Sequence, residues 1–140
     1  MCSSDLGSYS AAVAEVSVRD GRLVVHRLVL ALGCGHAVNP GQIQAQVEGS
    51  VAYGLSAAYF GEITIAQGRA QELNFHSYPI LRLAQFPLVE TVIVPSGDFW
   101  GGVGEPTICV VAPAVMNAIS AARGKPVRSL PLKHEGLRLV

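Results

Sequence analysis

Ala12-Val13-Ala14-Glu15-Val16-Ser17-Val18, then Arg19-Asp20-Gly21-Arg22, then Leu23-Val24-Val25-His26-Arg27-Leu28-Val29-Leu30-Ala31-Leu32 reads as two strands about a turn. Ala14, Val16 and Val18 alternate with Glu15 and Ser17, the period of a half-buried strand. Asp20-Gly21 is a hairpin dipeptide, because the tightest hairpin turns need left-handed backbone at both central residues. The second run is longer, rich in β-branched residues and apolar enough to be covered on both faces. An antiparallel hairpin within a larger sheet is expected.

Outward from the hairpin, Gly33 to Asn39 forms a loop into a helix, with Asn39 as N-cap and Pro40 as first helical residue. Ile43, Val47, Val51 and Leu55 recur every four residues, so a helix from Pro40 to Tyr59 buries that stripe and Gly61 ends it. Gln42, Gln46 and Gly49 fall on another face, where Gly49 permits close approach and a glutamine amide can both donate and accept. Glu62 to Ile65 alternates as a strand, Gln67-Gly68-Arg69 is a turn, Gln71 to Phe75 pairs back, and Val89 to Val94 is a strand ended by Pro95. Ala112 to Arg123 reads as a helix with Pro113 in its first turn, an apolar stripe of Val115, Met116, Ile119 and Ala122, and Gly124 as its stop. Pro126 to Leu132 is extended, and 133–140 is expected to be a tail. The order β-β-α-β-β-β-α, with strands in hairpins, predicts an α+β fold: an antiparallel or mixed sheet packed with two main helices.

Half of the 140 residues are hydrophobic and 14% are charged, against about 25% in an ordinary domain. So few charges cannot cover a free monomer, which points to a piece of a larger assembly. Ten acidic and ten basic residues cancel without forming runs, so there is no electrostatic footprint for nucleic acid. No apolar segment is long enough to span a bilayer. Cys2, Cys34 and Cys109 are widely spaced, which suits neither a zinc site nor a disulfide framework. Met1 to Leu6 lacks the regions of a signal peptide and resembles translated adapter sequence, so residues 1–6 are expected to be a non-native extension. Nucleotide-binding Gly-x-Gly-x-x-Gly and Gly-x-x-x-x-Gly-Lys patterns, zincin His-Glu-x-x-His and the Gly-x-Ser-x-Gly elbow do not occur.

The candidate chemistry lies in Trp100-Gly101-Gly102-Val103-Gly104-Glu105-Pro106. Three glycines in four positions let another group approach the backbone, and Pro106 restricts the carboxylate that precedes it. An apolar run, Ile108 to Ile119, can anchor the loop in a core. Glu105 is then a candidate general base, its pKa raised by burial beside apolar residues; the plainer reading is a surface turn with a solvated glutamate. His76, in the aromatic and polar run Asn74 to Pro79, can be a ligand or proton carrier but reads better as a packed, hydrogen-bonded residue.

Taken together, Cys34-Gly35, Val38-Asn39-Pro40, Gln46-Val47-Glu48-Gly49 and Gly101-Gly102-Val103-Gly104-Glu105-Pro106 resemble the C-terminal part of molybdenum hydroxylase large subunits, the xanthine dehydrogenase and aldehyde oxidase family. Tyr59-Phe60-Gly61-Glu62-Ile63, Asn74 to Pro79 and Ala112-Pro113-Ala114-Val115 are most similar to the isoquinoline 1-oxidoreductase β-subunit and related bacterial aldehyde dehydrogenases. The resemblance runs from about Ala11 to Leu130. It departs at Thr107-Ile108-Cys109-Val110-Val111, where relatives often carry small residues and prolines.

The resemblance implies an oxidoreductase that hydroxylates an N-heterocycle or oxidises an aldehyde with oxygen taken from water. It implies molybdenum held by the dithiolene of molybdopterin, in bacteria usually the cytosine dinucleotide, and not by a side chain. Glu105 falls on the family's general base and Gln46 on its pterin-contacting glutamine, while Gly102, Val103 and Gly104 fall where backbone approaches the cofactor. Residues 7–132 would be part of the second molybdopterin-binding domain. Its partners would be the upstream part of the large subunit and a separate small 2Fe–2S subunit, and the segment alone is expected to be inactive. Compartment stays open between periplasm and cytoplasm. Two other readings stand beside this one: a scaffold module that keeps the fold without cofactor, and an unrelated α+β domain whose glycine loop binds an anion.

Overall fold

The computed structural model describes residues 2–3, 7–97 and 99–140. Its strands and helices are β1 (Cys2–Ser3), β2 (Tyr9–Arg19), β3 (Arg22–Gly33), α1 (Pro40–Phe60), β4 (Ile65–Ala66), β5 (Arg69–Ala70), β6 (Leu88–Ile93), α2 (Ile108–Arg123) and β7 (Arg138–Leu139). Of the expected extension, Cys2–Ser3 pairs antiparallel with the start of β2, and the other four of its residues lie outside those described. β2 and β3 form the expected hairpin, with Asp20 and Gly21 at φ of 49° and 72° in its turn. Glu62 to Thr64 and Gln71 to Phe75 are not strands; only the two-residue β4 and β5 pair across Gln67-Gly68.

β3 is the centre of the larger sheet. It pairs antiparallel with β2 and parallel with both β6 and β7. The sheet is therefore mixed, with α1 lying in the crossover between β3 and β6. Both helices cover one face. Leu28, Leu30 and Leu32 of β3 meet Val47 and Val51 of α1 and Val111, Val115 and Ile119 of α2 in one fully buried core. The predicted α1 stripe is buried throughout, and Asn39 caps the helix by accepting from the Gln42 N–H at 3.2 Å. Gly61 follows α1 at a φ of −58°, so it is not a left-handed cap. A glycine is needed there because a Cβ would stand 2.5 Å from the Ala57 carbonyl oxygen.

Three expectations fail for identifiable reasons. β3 is covered on one face only: Val24, Val29 and Ala31 are half-buried, and Arg27 pairs there with Glu15 and Glu90 across the open face. α2 begins one turn earlier than expected, at Ile108, so Pro113 sits inside the helix and Ala122, outside the buried stripe, is exposed. The end of the chain is not a loose tail. β7 adds to the sheet, and Tyr59 hydrogen-bonds to the Leu137 carbonyl while accepting from the Leu139 N–H at 2.8 Å.

Glu62 ties the C-terminal end of α1 to the same segment, with Lys133 Nζ at 2.7 Å and His134 Nε2 at 3.0 Å. The hydrogen bond from Lys133, and then that from His134, hold its carboxyl below the ordinary value. A depressed carboxylate stabilises the fold above its unfolded pKa, and the contribution is lost as pH falls through the folded value. Glu62→Gln should therefore lower the thermal midpoint slightly at about pH 7, the cluster being partly exposed, and the difference should shrink at an acidic pH, once the pH has fallen through the folded value. An equal difference at both pH values would instead assign the effect to packing.

Candidate functional site

The glycine loop lies between β6 and α2 and is held from three sides. The Gly101 N–H donates to the Cys34 carbonyl at 2.9 Å, joining the loop to the end of β3. From the start of β2, Ser8 Oγ donates to the Gly102 carbonyl at 2.6 Å and Ser10 Oγ to the Pro106 carbonyl at 2.7 Å. From α1, Ser50 Oγ accepts a 2.7 Å hydrogen bond from Thr107 Oγ1 and donates in turn to the Val47 carbonyl at 2.7 Å. The Cys109 thiol reaches the Pro106 carbonyl as well. The loop is thus a fixed element and not a loose turn.

Its exposed edge carries the predicted residues. Gly104 and Glu105 are exposed, whereas Pro106 and Thr107 behind them are buried. The burial expected around Glu105 is therefore absent within this chain: its anchor is buried and its carboxylate is not. Val103 is half-buried, packed against the core. Gln46 is exposed on α1, and its Oε1 lies 3.9 Å from where a Cβ on Gly104 would be. Gln46 and Gly104, 58 residues apart in the chain, are thus brought together.

Beside this edge, a recess of about 230 Å³ opens between Trp100, Gly101 and Val103 of the loop and Val38, Gln42 and Ile43 at the start of α1. Trp100 is largely exposed at its rim, stacked at 6.1 Å on Phe99 and facing His36 at 6.2 Å. A second recess, of about 220 Å³ between Tyr9, Ala31 and Val94, lies on the open face of the sheet and is lined by no carboxylate, histidine or cysteine. His76 is exposed on a turn closed by Asn74 and Ser77, not packed, and does not line the recess beside the glycine loop. Close approach to α1 occurs at Gly54, not Gly49: a Cβ on Gly54 would stand 2.8 Å from Val111 Cβ, whereas one on Gly49 would meet nothing within 4 Å.

The residues at the exposed edge suit a pterin cofactor held from one side. Gly104 leaves open space where a side chain would stand, and the Gln46 amide offers a donor and an acceptor toward it. Among the described residues no group of three or more His, Cys, Asp or Glu is arranged to hold a metal ion. What sequence reading missed is the anchoring set, Ser8, Ser10, Ser50 and Thr107. Small hydroxyl residues carry no periodic signal, and only the loop's own need for hydrogen-bond partners marks them.

Residues 5–87 match the model of the molybdopterin cofactor-binding domain. The chain is 34% identical over 128 residues to the isoquinoline 1-oxidoreductase subunit beta of Brevundimonas diminuta, covering 90% of this chain and 16% of that one. It is 33% identical over 128 residues to the membrane-bound aldehyde dehydrogenase (pyrroloquinoline-quinone) of Gluconacetobacter polyoxogenes, covering 90% of this chain and 17% of that one. In fold it is similar to the aldehyde oxidoreductase of Desulfovibrio desulfuricans ATCC 27774, with a TM-score of 0.73 at 24% identity over 95% of this chain and 15% of the other. The chain thus spans about one sixth of the length of the curated relatives it matches. With the model matched over more than half its length and the same fold embedded in much longer oxidoreductases, the chain belongs to the molybdopterin cofactor-binding domain family of the molybdenum hydroxylases.

Proposed function

We propose that this chain forms one wall of the active site of a molybdopterin-dependent oxidoreductase acting on an aldehyde or an N-heterocycle, with Glu105 as general base. The observation that carries this is the meeting of Gln46 with Gly104, directly beside Glu105, at an exposed edge whose anchor is buried. Gln46 would hold the pterin through its amide, and the backbone of Gly102, Val103 and Gly104 would lie against the cofactor. The cofactor, in this reading molybdopterin cytosine dinucleotide, supplies two-electron redox chemistry and a water-derived oxygen. Glu105, at the edge where the cofactor would be held, would serve as the group that takes up the proton released in the reaction. A base must come within hydrogen-bond reach of the proton it removes, and a glycine next to it removes the side chain that would stand in the way.

The rest of the pocket would come from other parts of the large subunit, and iron–sulfur clusters from a separate small subunit. Exposed apolar side chains such as Val13, Leu73, Phe75, Leu83 and Phe99 support burial of this chain in such an assembly. The test is to express the intact large subunit with its small subunit and cofactor-maturation factors. The expected product contains molybdenum and pterin in stoichiometric amount and turns over members of an aldehyde and heterocycle panel. Protein purified without molybdenum, from cells that load a control molybdoenzyme, would favour a scaffold and overturn the proposal.

A further inference from the structure

Among the described residues, the buried polar side chains are Ser8, Ser10, Ser50 and Thr107. All four have their hydroxyls in the hydrogen bonds that hold the glycine loop. Burying a hydroxyl is unfavourable unless it is paired, so this concentration on one loop calls for a reason beyond general stability. Ser8, just before β2, and Ser10, within it, fix the loop's carbonyls. The other two join the loop to α1, and their spacing is informative.

Gln46, Ser50 and Gly54 follow one another at intervals of one turn along α1, and so lie on one ridge of the helix. Each meets a partner on the segment that carries Glu105. Gly54 accommodates Val111 of α2, Ser50 accepts from Thr107, and Gln46 lies against Gly104. The first contact is a tight packing contact, the second is a buried hydrogen bond, and the third is the exposed edge. The register that core packing sets between α1 and α2 is in this way carried turn by turn to the pair at the surface.

We propose that Thr107 and Ser50 are positioning residues, whose buried hydrogen bond fixes Glu105 relative to Gln46. This rests on the assignment of Glu105 as base and Gln46 as cofactor contact. Thr107→Val keeps the shape and removes the donor; Ser50 still donates to the Val47 carbonyl, so no buried donor is stranded. Ser50→Ala is the harsher change, because it leaves the Thr107 hydroxyl buried without its acceptor.

The experiment compares wild type, Thr107→Val, Thr107→Ser and Glu105→Gln in the intact large subunit with its small subunit. Molybdenum content, kcat, KM and amide hydrogen exchange of peptides covering 101–107 and 43–55 are measured. Thr107→Val should keep its molybdenum and KM and lose about 10- to 100-fold in kcat, since small misplacements of a reacting group cost that much. Exchange should quicken in 101–107 but not in 43–55, and Thr107→Ser should restore both kcat and exchange. Wild-type kcat and wild-type exchange in Thr107→Val would overturn the proposal, as would a Thr107→Ser variant no better than the valine. If Glu105→Gln turns over normally, the base assignment fails and exchange decides alone. Faster exchange in Thr107→Val that serine restores then sustains the tie between loop and helix, and unchanged exchange overturns it.

Discussion

Glu105→Gln in the intact subunit should leave molybdenum and pterin content at the wild-type level and lower kcat by about two to four orders of magnitude, the usual contribution of a positioned general base. Gln is nearly isosteric with Glu and cannot take up a proton at neutral pH. The substitution should not disturb the loop, because Glu105 is tied into it through its backbone: its carbonyl accepts from the Ile108 N–H at 3.1 Å. Anchoring comes instead from Ser8, Ser10 and Thr107, none of which touches the carboxylate. KM should therefore change little, which separates lost transition-state stabilisation from lost binding. Normal turnover in the variant would remove Glu105 from the chemistry. Loss of molybdenum in parallel with kcat would make it a cofactor-holding residue instead.

The elements that could be read from sequence are those whose signal is local. The Asp20-Gly21 turn demands left-handed backbone, and the Ile43, Val47, Val51, Leu55 stripe has the period of one helix face; both stand where expected. The parallel pairing of β3 with β6 joins Arg27 to Leu88, 61 residues apart, and nothing local to either strand encodes the direction of its partner. The start of α2 was obscured by Pro113. A proline is most at home in a first turn, yet here it lies in the interior.

The site was half legible. Glu105 was a candidate from the glycine-rich loop and Gln46 from the resemblance of Gln46-Val47-Glu48-Gly49 to the family pattern, and the fold brings the loop and that helix face together. The burial expected for the carboxylate does not occur within this chain, because its neighbours in sequence Pro106, Thr107, Val110 and Val111 are buried while Glu105 is exposed. The serines and the threonine that hold the loop are invisible to periodicity. They become evident only once the loop's backbone is seen to lack a sheet or helix of its own.

Gly101→Ala should be the most damaging single-methyl change in the loop, whereas Gly104→Ala should leave this chain's stability unaltered. A Cβ on Gly101 would stand 2.2 Å from Ser8 Oγ and 2.7 Å from the Gly7 carbonyl oxygen. The hydroxyl could rotate away only by giving up its bond to the Gly102 carbonyl, and the Gly7 carbonyl, being backbone, cannot rotate at all. Overpacking of this kind costs about 1–3 kcal/mol, and stranding the buried Ser8 hydroxyl adds about 1–3 kcal/mol more. The urea midpoint of this chain should fall accordingly, and molybdenum content and turnover of the intact subunit should fall with it. A Cβ on Gly104 would meet nothing in this chain nearer than Gln46 Oε1 at 3.9 Å. Its stability should match wild type, yet in the intact subunit the methyl would fill space assigned to the cofactor, so bound molybdenum or turnover should drop. If Gly104→Ala loads molybdenum and turns over normally, the open space beside Glu105 is not where the cofactor approaches, and the glycine there serves only the path of the chain.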